Sequence, residues 1–232
     1  MTTKFLRKPK SFVLRPGRTT RAQQNAINKY LPVYGINYKN HGLVYENFFS
    51  NKAPVILEIG FGSGDATIII AKNNPNINYI AVEVYPSGVG TILQKIRNYE
   101  IKNLRIIQYD ATEVIKKMIT NQSLSGIHIF FPDPWPKKKH HKRRLISSSF
   151  LADLEKKLVK DCYLHLVTDC QNYKEQITDE INKNKNLVIQ NDTELQIIKN
   201  RPKTKFEKRA ITRGNDIFDI VAFKKSENVS VN

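Results

Sequence analysis

Three stretches of this chain gather side chains able to do chemistry. The first is Phe131-Pro132-Asp133-Pro134-Trp135-Pro136, followed at once by Lys137-Lys138-Lys139-His140-His141-Lys142-Arg143-Arg144. Three prolines in five residues end the apolar run before them, because each lacks an N–H and fixes φ. They also drive Asp133 toward an extended conformation. A carboxylate and an indole thus stand on a stiff turn at the end of a strand, where open α/β sheets bind ligands. Beside them lies a strip with six Lys/Arg in eight residues, whose natural partner is phosphate.

The second stretch is Leu57-Glu58-Ile59-Gly60-Phe61-Gly62-Ser63-Gly64-Asp65. Its alternate glycines permit positive φ and close approach of backbone to a ligand. The dinucleotide fingerprint G-x-G-x-x-G wants glycine where Asp65 stands, and a pyrophosphate at that helix start would face the carboxylate. A phosphate-free nucleoside cofactor fits better, and S-adenosylmethionine is one. The third group is Glu83 and Asp110, each at the end of an apolar run. An ionised carboxylate after the second strand can accept both ribose hydroxyls, which leaves Asp110 for the adenine amine. Acids at strand ends also cap the helices that follow; several at successive strand ends beside a glycine turn favour the ligand.

These residues need a scaffold that brings strand ends together. Short apolar runs predict strands at 55–60, 79–84, 104–109, 127–131, 163–168, 187–190 and 217–223, alternating with helices at 65–73, 86–99, 112–119, 147–160 and 172–183. That alternation is the mark of βα units, and so of a largely parallel sheet of about seven strands with helices on both faces. Residues 1–50 read as a basic arm with a short helix at 22–31, residues 51–225 as the catalytic domain, and residues 226–232 as a frayed tail.

At 232 residues and 40% hydrophobic content, one full core is expected. The net charge of +17 points to a polyanionic partner, nucleic acid first. Nine Lys/Arg precede Glu46, the first acidic residue, and the prolines among them argue against an amphipathic transit helix. No apolar run is long enough to span a membrane, and residues 1–6 lack the apolar core of a secretory signal. Two cysteines, Cys162 and Cys170, exclude a disulfide framework and suit a reducing cytoplasm.

Taken in order, Ser11-Phe12-Val13-Leu14-Arg15-Pro16-Gly17-Arg18-Thr19, the glycine turn, the proline turn, Thr168-Asp169 with Tyr173, and Thr204-Lys205-Phe206-Glu207 resemble the bacterial tRNA (guanine-N7-)-methyltransferases over nearly the whole chain. The resemblance implies a Rossmann-like S-adenosylmethionine-dependent methyltransferase fold. It implies transfer of the donor's methyl group to N7 of guanine 46 in the tRNA variable loop. Carried over by position, Glu58, Gly60, Gly62, Glu83, Asp110 and Asp133 contact the methyl donor. Lys137, Asp169, Thr204, Lys205, Phe206 and Glu207 contact substrate, and Lys139, His140, His141, Lys142, Arg143 and Arg144 contact RNA. No metal is implied. Ala210 departs from the family's pattern, which has glycine there.

Guanine N7 carries a lone pair and no proton, so attack on a sulfonium methyl needs no general base. What develops is positive charge on the purine, which the Asp133 carboxylate would favour while orienting the base, with Asp169 as a second anchor. Trp135 could stack on base or adenosine, or brace the proline turn. His140 and His141 read as RNA-facing rather than metal ligands, since no Cys or carboxylate stands at ligand spacing. Cys170 as a nucleophile lacks supporting acid/base groups. The rival readings are an amino-group methyltransferase, whose acid-Pro-Pro-aromatic motif Asp133-Pro134-Trp135 half matches, a non-catalytic RNA-binding protein, and a nicotinamide oxidoreductase. Monomer and homodimer are both compatible with the sequence, and no obligate protein partner is evident.

Overall fold

In the computed structural model, residues 12, 19–190 and 196–226 are described. Most of the motif at 11–19 and of the tail at 226–232 lies outside them. The chain opens with helix α1 (Arg21–Tyr34) and a 3-10 turn at Tyr45–Asn47. Then come β1 (Val55–Ile59), α2 (Asp65–Asn73), β2 (Asn78–Glu83), α3 (Pro86–Asn98), β3 (Leu104–Gln108), α4 (Ala111–Lys117) and β4 (Leu124–Phe130). A 3-10 stretch at Lys138–Arg143 leads to α5 (Ser148–Lys157), β5 (Leu158–Thr168), α6 (Gln171–Asn182), β6 (Leu187–Gln190), α7 (Gln196–Lys199), α8 (Lys205–Thr212) and β7 (Phe218–Lys224).

The seven strands form one sheet in the order β3-β2-β1-β4-β5-β7-β6. β1 to β5 run parallel, and β7 lies antiparallel between β5 and β6. Strand order reverses between β1 and β4, so their carboxyl ends open a crevice there. Every residue of β1, β2 and most of β4 is buried, as expected where helices cover both faces. Along β1, Val55, Leu57 and Ile59 enter one apolar cluster while Ile56 enters the other, which follows from the two-residue period of a strand.

Residues 21–49 are not a free arm. α1 is N-capped by Thr20 in a capping box with Gln23 and packs on α3, where Gln23 Nε2 donates to Thr91 Oγ1 at 3.0 Å. A Cβ on Gly90 would stand 2.6 Å from the Gln23 carbonyl oxygen, so the two helix backbones meet at that glycine. Ile36, Leu43 and Phe49 join the main core, and a boundary at residue 50 would cut through it. The helix expected at 147–160 also stops early. It ends at Lys157, and Leu158 begins β5, paired with Leu124. Helical periodicity continues through Leu158 and Val159, but pairing with β4 wins there. α7 and α8 were absent from the sequence expectation.

β4 and β5 carry two buried histidines with a consequence for stability. Burial, and then the charges of His165 and Arg201, push the pKa of His128 down from 6.5 to about 3. Burial also lowers that of His165, against the pull of Asp219. Between those limits the unfolded chain binds a proton at His128 and the folded one does not. Its contribution is therefore complete above pH 6.5 and is lost as pH falls. The His128 contribution should be about 1.4 kcal/mol smaller at pH 5.5 than at pH 7.5, read in urea melts as the difference between wild type and His128→Gln at each pH, since the raised Glu58 carboxyl works in the opposite sense. An equal difference between the two proteins at both pH values would contradict this.

Candidate active site

The glycine turn after β1 uses left-handed backbone three times, at Gly60 (φ 79°), Gly62 (57°) and Gly64 (70°). Gly64 is the N-cap of α2, and a Cβ there would collide with Ile92 at 2.5 Å. Gly62 packs so closely on α3 that a Cβ at Gly88 would lie 2.2 Å from its carbonyl oxygen. Glu83, at the end of β2, ties the turn down. Its Oε2 accepts from Gly62 N–H at 3.0 Å, and its Oε1 accepts from Val84 and Tyr85 N–H at 2.7 and 3.2 Å.

Beside this turn lies a cleft of about 200 Å³, whose walls include Gly60, Gly62, Glu83, Tyr109, Asp133 and Phe206. Burial raises the Glu83 carboxyl above its ordinary range despite three backbone donors, and Asp133 adds to the shift. Burial raises Asp133 as well, although its residue faces solvent at the cleft mouth. Among the described residues lining the cleft there is no Lys or Arg, on a chain of net charge +17. A largely apolar lining with two carboxyls and no cation among the described residues is hostile to a pyrophosphate. It suits a donor whose reactive centre is a sulfonium, and the open space at Gly60 leaves the backbone approachable.

Two of the expected donor contacts sit behind or beside this wall. Glu58, 4% exposed, is not among the lining residues, and burial, with Glu83 adding, raises it to about 7. Asp110 stands between the lining residues Tyr109 and Ala111. Its Oδ1 caps α4, accepting from Thr112 N–H at 2.9 Å and the Thr112 hydroxyl at 2.7 Å. Outside it, Tyr109 stacks on Tyr38 with ring centroids 3.8 Å apart.

The proline turn is bracketed by two non-glycine residues in left-handed backbone, Phe131 (φ 53°) and Trp135 (φ 45°), a region such residues seldom enter. The Arg143 guanidinium lies 5.0 Å from the Trp135 ring centroid, and His140 meets the ring edge-on at 5.9 Å. Trp135 is therefore braced by protein groups. Lys137, Lys138, Lys139 and Lys142 point to solvent, while His140, His141 and Arg143 are half-buried. Arg144 departs from the expectation of an RNA contact: it is 5% exposed and its guanidinium is spent inside the protein.

α8 completes the site from the far side. Thr204 caps it in a capping box with Glu207. This places Phe206 over the cleft mouth, 55% exposed and nearly parallel to Phe131 at 6.4 Å between centroids. Lys205 is exposed. Glu207 departs from the expectation of a substrate contact. It is buried, its carboxylate taken by Arg201 (2.5 Å from Nη1) and by Thr204 N–H. Arg201 also holds Asp219 through Nε at 2.9 Å and Nη2 at 3.0 Å, and Asp219 binds His165 Nε2 at 2.7 Å. Sequence reasoning missed this network, since nothing local pairs Arg201 with a strand residue 18 positions on. Asp169, half-buried just beyond β5, accepts from Asn215 Nδ2 at 3.2 Å. No helix among the described residues is long and apolar enough to cross a membrane.

The sheet order, the antiparallel β7 and a cleft beyond the glycine turn with no cation among its described lining residues define an S-adenosylmethionine-dependent methyltransferase of Rossmann-like fold. Solved structures agree at the level of fold: the 16S rRNA methyltransferase KamB superposes with a TM-score of 0.53 at 14% identity, over 78% of this chain and 91% of that one. A precorrin-6y C5,15-methyltransferase from Geobacter metallireducens gives 0.51 at 13%, over 74% and 82%. A family model described as "Putative methyltransferase" matches residues 52–220. A tRNA (guanine-N(7)-)-methyltransferase of Buchnera aphidicola subsp. Acyrthosiphon pisum is 47% identical over 94% of this chain and 92% of its own length. One from Methylobacillus flagellatus is 45% identical over 93% and 91%. The chain belongs to the tRNA (guanine-N(7)-)-methyltransferase family.

Proposed function

We propose that this enzyme transfers the methyl group of S-adenosylmethionine to N7 of guanine in tRNA, at position 46 of the variable loop, giving 7-methylguanosine. The observation that carries the proposal is the pairing of a cleft with no cation among its described lining residues, floored by Glu83 and rimmed by Asp133, with a strip of exposed lysines that begins four residues after Asp133. When bound, the donor supplies an electrophilic methyl on a positively charged sulfur. Gly60, Gly62 and Glu83 would hold it, with Tyr109 and Asp110 toward the adenosine.

Asp133 acts on the acceptor. The N7 lone pair needs no deprotonation, so the carboxylate orients the ring and offsets the positive charge that grows on it. Phe206 and Phe131 offer aromatic faces at the same mouth, and Asp169 is the second polar anchor. Lys137, Lys139, His140, His141, Lys142 and Arg143 take phosphate, together with the basic residues that precede Glu46. The cytoplasm is the compartment this chemistry suits.

Incubation with labelled S-adenosylmethionine and unmodified tRNA, followed by nucleoside analysis, tests the reading. Label in 7-methylguanosine is expected; label in N2-methylguanosine or N6-methyladenosine would overturn it. With about three phosphates neutralised by the strip, tRNA affinity should fall roughly 10- to 100-fold between ~50 and ~200 mM salt. A flat response would remove the strip from the interface.

A further inference from the structure

We infer that Arg144 is a positioning residue for the Asp133 turn, and that the basic strip changes role at its last residue, from phosphate binding to loop anchoring. The activity part of this inference rests on the function proposed above; the structural part does not. Arg144 Nε donates to the Pro134 carbonyl at 2.7 Å, Nη1 to Gln176 Oε1 at 2.6 Å and Nη2 to Asn172 Oδ1 at 2.9 Å. Its guanidinium also lies 4.7 Å from the centroid of Tyr173, and the Tyr173 hydroxyl accepts from Ile146 N–H. One planar fork therefore joins the turn to helix α6.

Two features separate this from ordinary packing. Among the described residues, none of the acceptors of Arg144 is a carboxylate. A buried cation held by neutral acceptors is costly, and an apolar side chain of similar size would stabilise the fold more cheaply. What an apolar side chain cannot do is fix a carbonyl. The one fixed here lies between Asp133 and Trp135, on the peptide that enters the left-handed Trp135. A residue in that backbone region persists only where its surroundings over-determine it. Arg144 holds the peptide from beneath while Arg143, its neighbour in sequence, covers the indole.

Trp135 is the sole tryptophan of the chain, so its fluorescence reports on the turn directly. In the full-length Arg144→Lys protein, charge is kept and the fork is lost. Trp135 emission should then shift to the red and its acrylamide quenching should rise, with tRNA KM and the salt dependence of binding unchanged. A displaced Asp133 should lower kcat by about 10- to 100-fold. An unaltered Trp135 signal together with unchanged kcat overturns the inference. So does a raised KM with a salt slope reduced by about one phosphate and kcat intact, which would return Arg144 to the RNA interface.

Should Arg144→Lys fail to fold, the double variant Asn172→Ala, Gln176→Ala removes two acceptors from outside the buried charge. It should show the same fluorescence change and a smaller loss of kcat, and wild-type behaviour there overturns the inference. If the wild-type protein does not methylate tRNA, the proposed function fails, and the Trp135 signal alone decides the role of Arg144.

Discussion

Asp133→Asn should reduce kcat by about 10²–10³ while leaving tRNA affinity within a few-fold of wild type, because the lost interaction grows only as positive charge develops on the purine. Asparagine preserves the size of the side chain and one acceptor, so orientation is partly kept and the missing charge dominates the difference. The pH profile supplies a second signature. Burial raises the Asp133 carboxyl above its ordinary range, and only its ionised form can offset the developing cation. The wild-type rate should therefore decline as pH falls through that raised pKa, and this limb should be absent from Asp133→Asn. Single-turnover methylation at saturating donor measures both. Near-normal turnover in the variant, with tRNA binding intact, would rule out an essential charge at the cleft mouth.

Arg201→Met should destabilise the fold by about 3–5 kcal/mol, since it leaves the buried Glu207 and the half-buried Asp219 without the cation they share. For a chain of this size that is a fall in Tm of roughly 6–20 °C. Burial alone would raise the Asp219 carboxyl, but the bonds from His165 and Arg201 overcome it and hold it below the usual range. Its contribution to stability is consequently present above the pKa of an unfolded aspartate and disappears only as pH drops through the lower folded value. In Arg201→Met the main counter-charge goes and burial carries the Asp219 carboxyl upward, so the folded variant takes up a proton more readily than the unfolded chain and should regain part of its lost stability on mild acidification. Urea unfolding at pH 7.5 and 5 tests this. A loss under about 1 kcal/mol would show that the network contributes orientation without stability. Because Glu207 is part of the same cap that presents Phe206, the variant should also weaken catalysis at temperatures where it remains folded.

Periodicity made most of the scaffold legible. β6 and α2 fall at the expected limits, and most other elements lie within a few residues of them, because the central strands are buried on both faces and the helices on one. The exceptions have local causes. Leu158 and Val159 continue the apolar spacing of α5, and only pairing with Leu124, remote in sequence, reveals a strand. α8 announced itself in Thr204-Lys205-Phe206-Glu207, a capping box that was available to be read and that commits Glu207 to the helix start. At the site, Gly60, Gly62, Glu83 and Asp133, singled out by residue type and strand-end position, line one cleft; Phe206, which the resemblance alone implied, lines it too. Arg144 was illegible for a different reason. A run of like charges reads as one solvated face, and nothing in composition distinguishes its final member from the rest.

Helix α3 carries Gly88 and Gly90 two positions apart, so they point to different sides: one against the glycine turn, the other against α1. Alanine at either position would ordinarily strengthen a helix by about 0.8–1 kcal/mol. Here that gain is closed off, because any methyl group meets backbone on either side. The helix thus works as a shim of fixed thickness, and local helical propensity is given up so that the glycine turn and the leading helix sit one bare backbone apart.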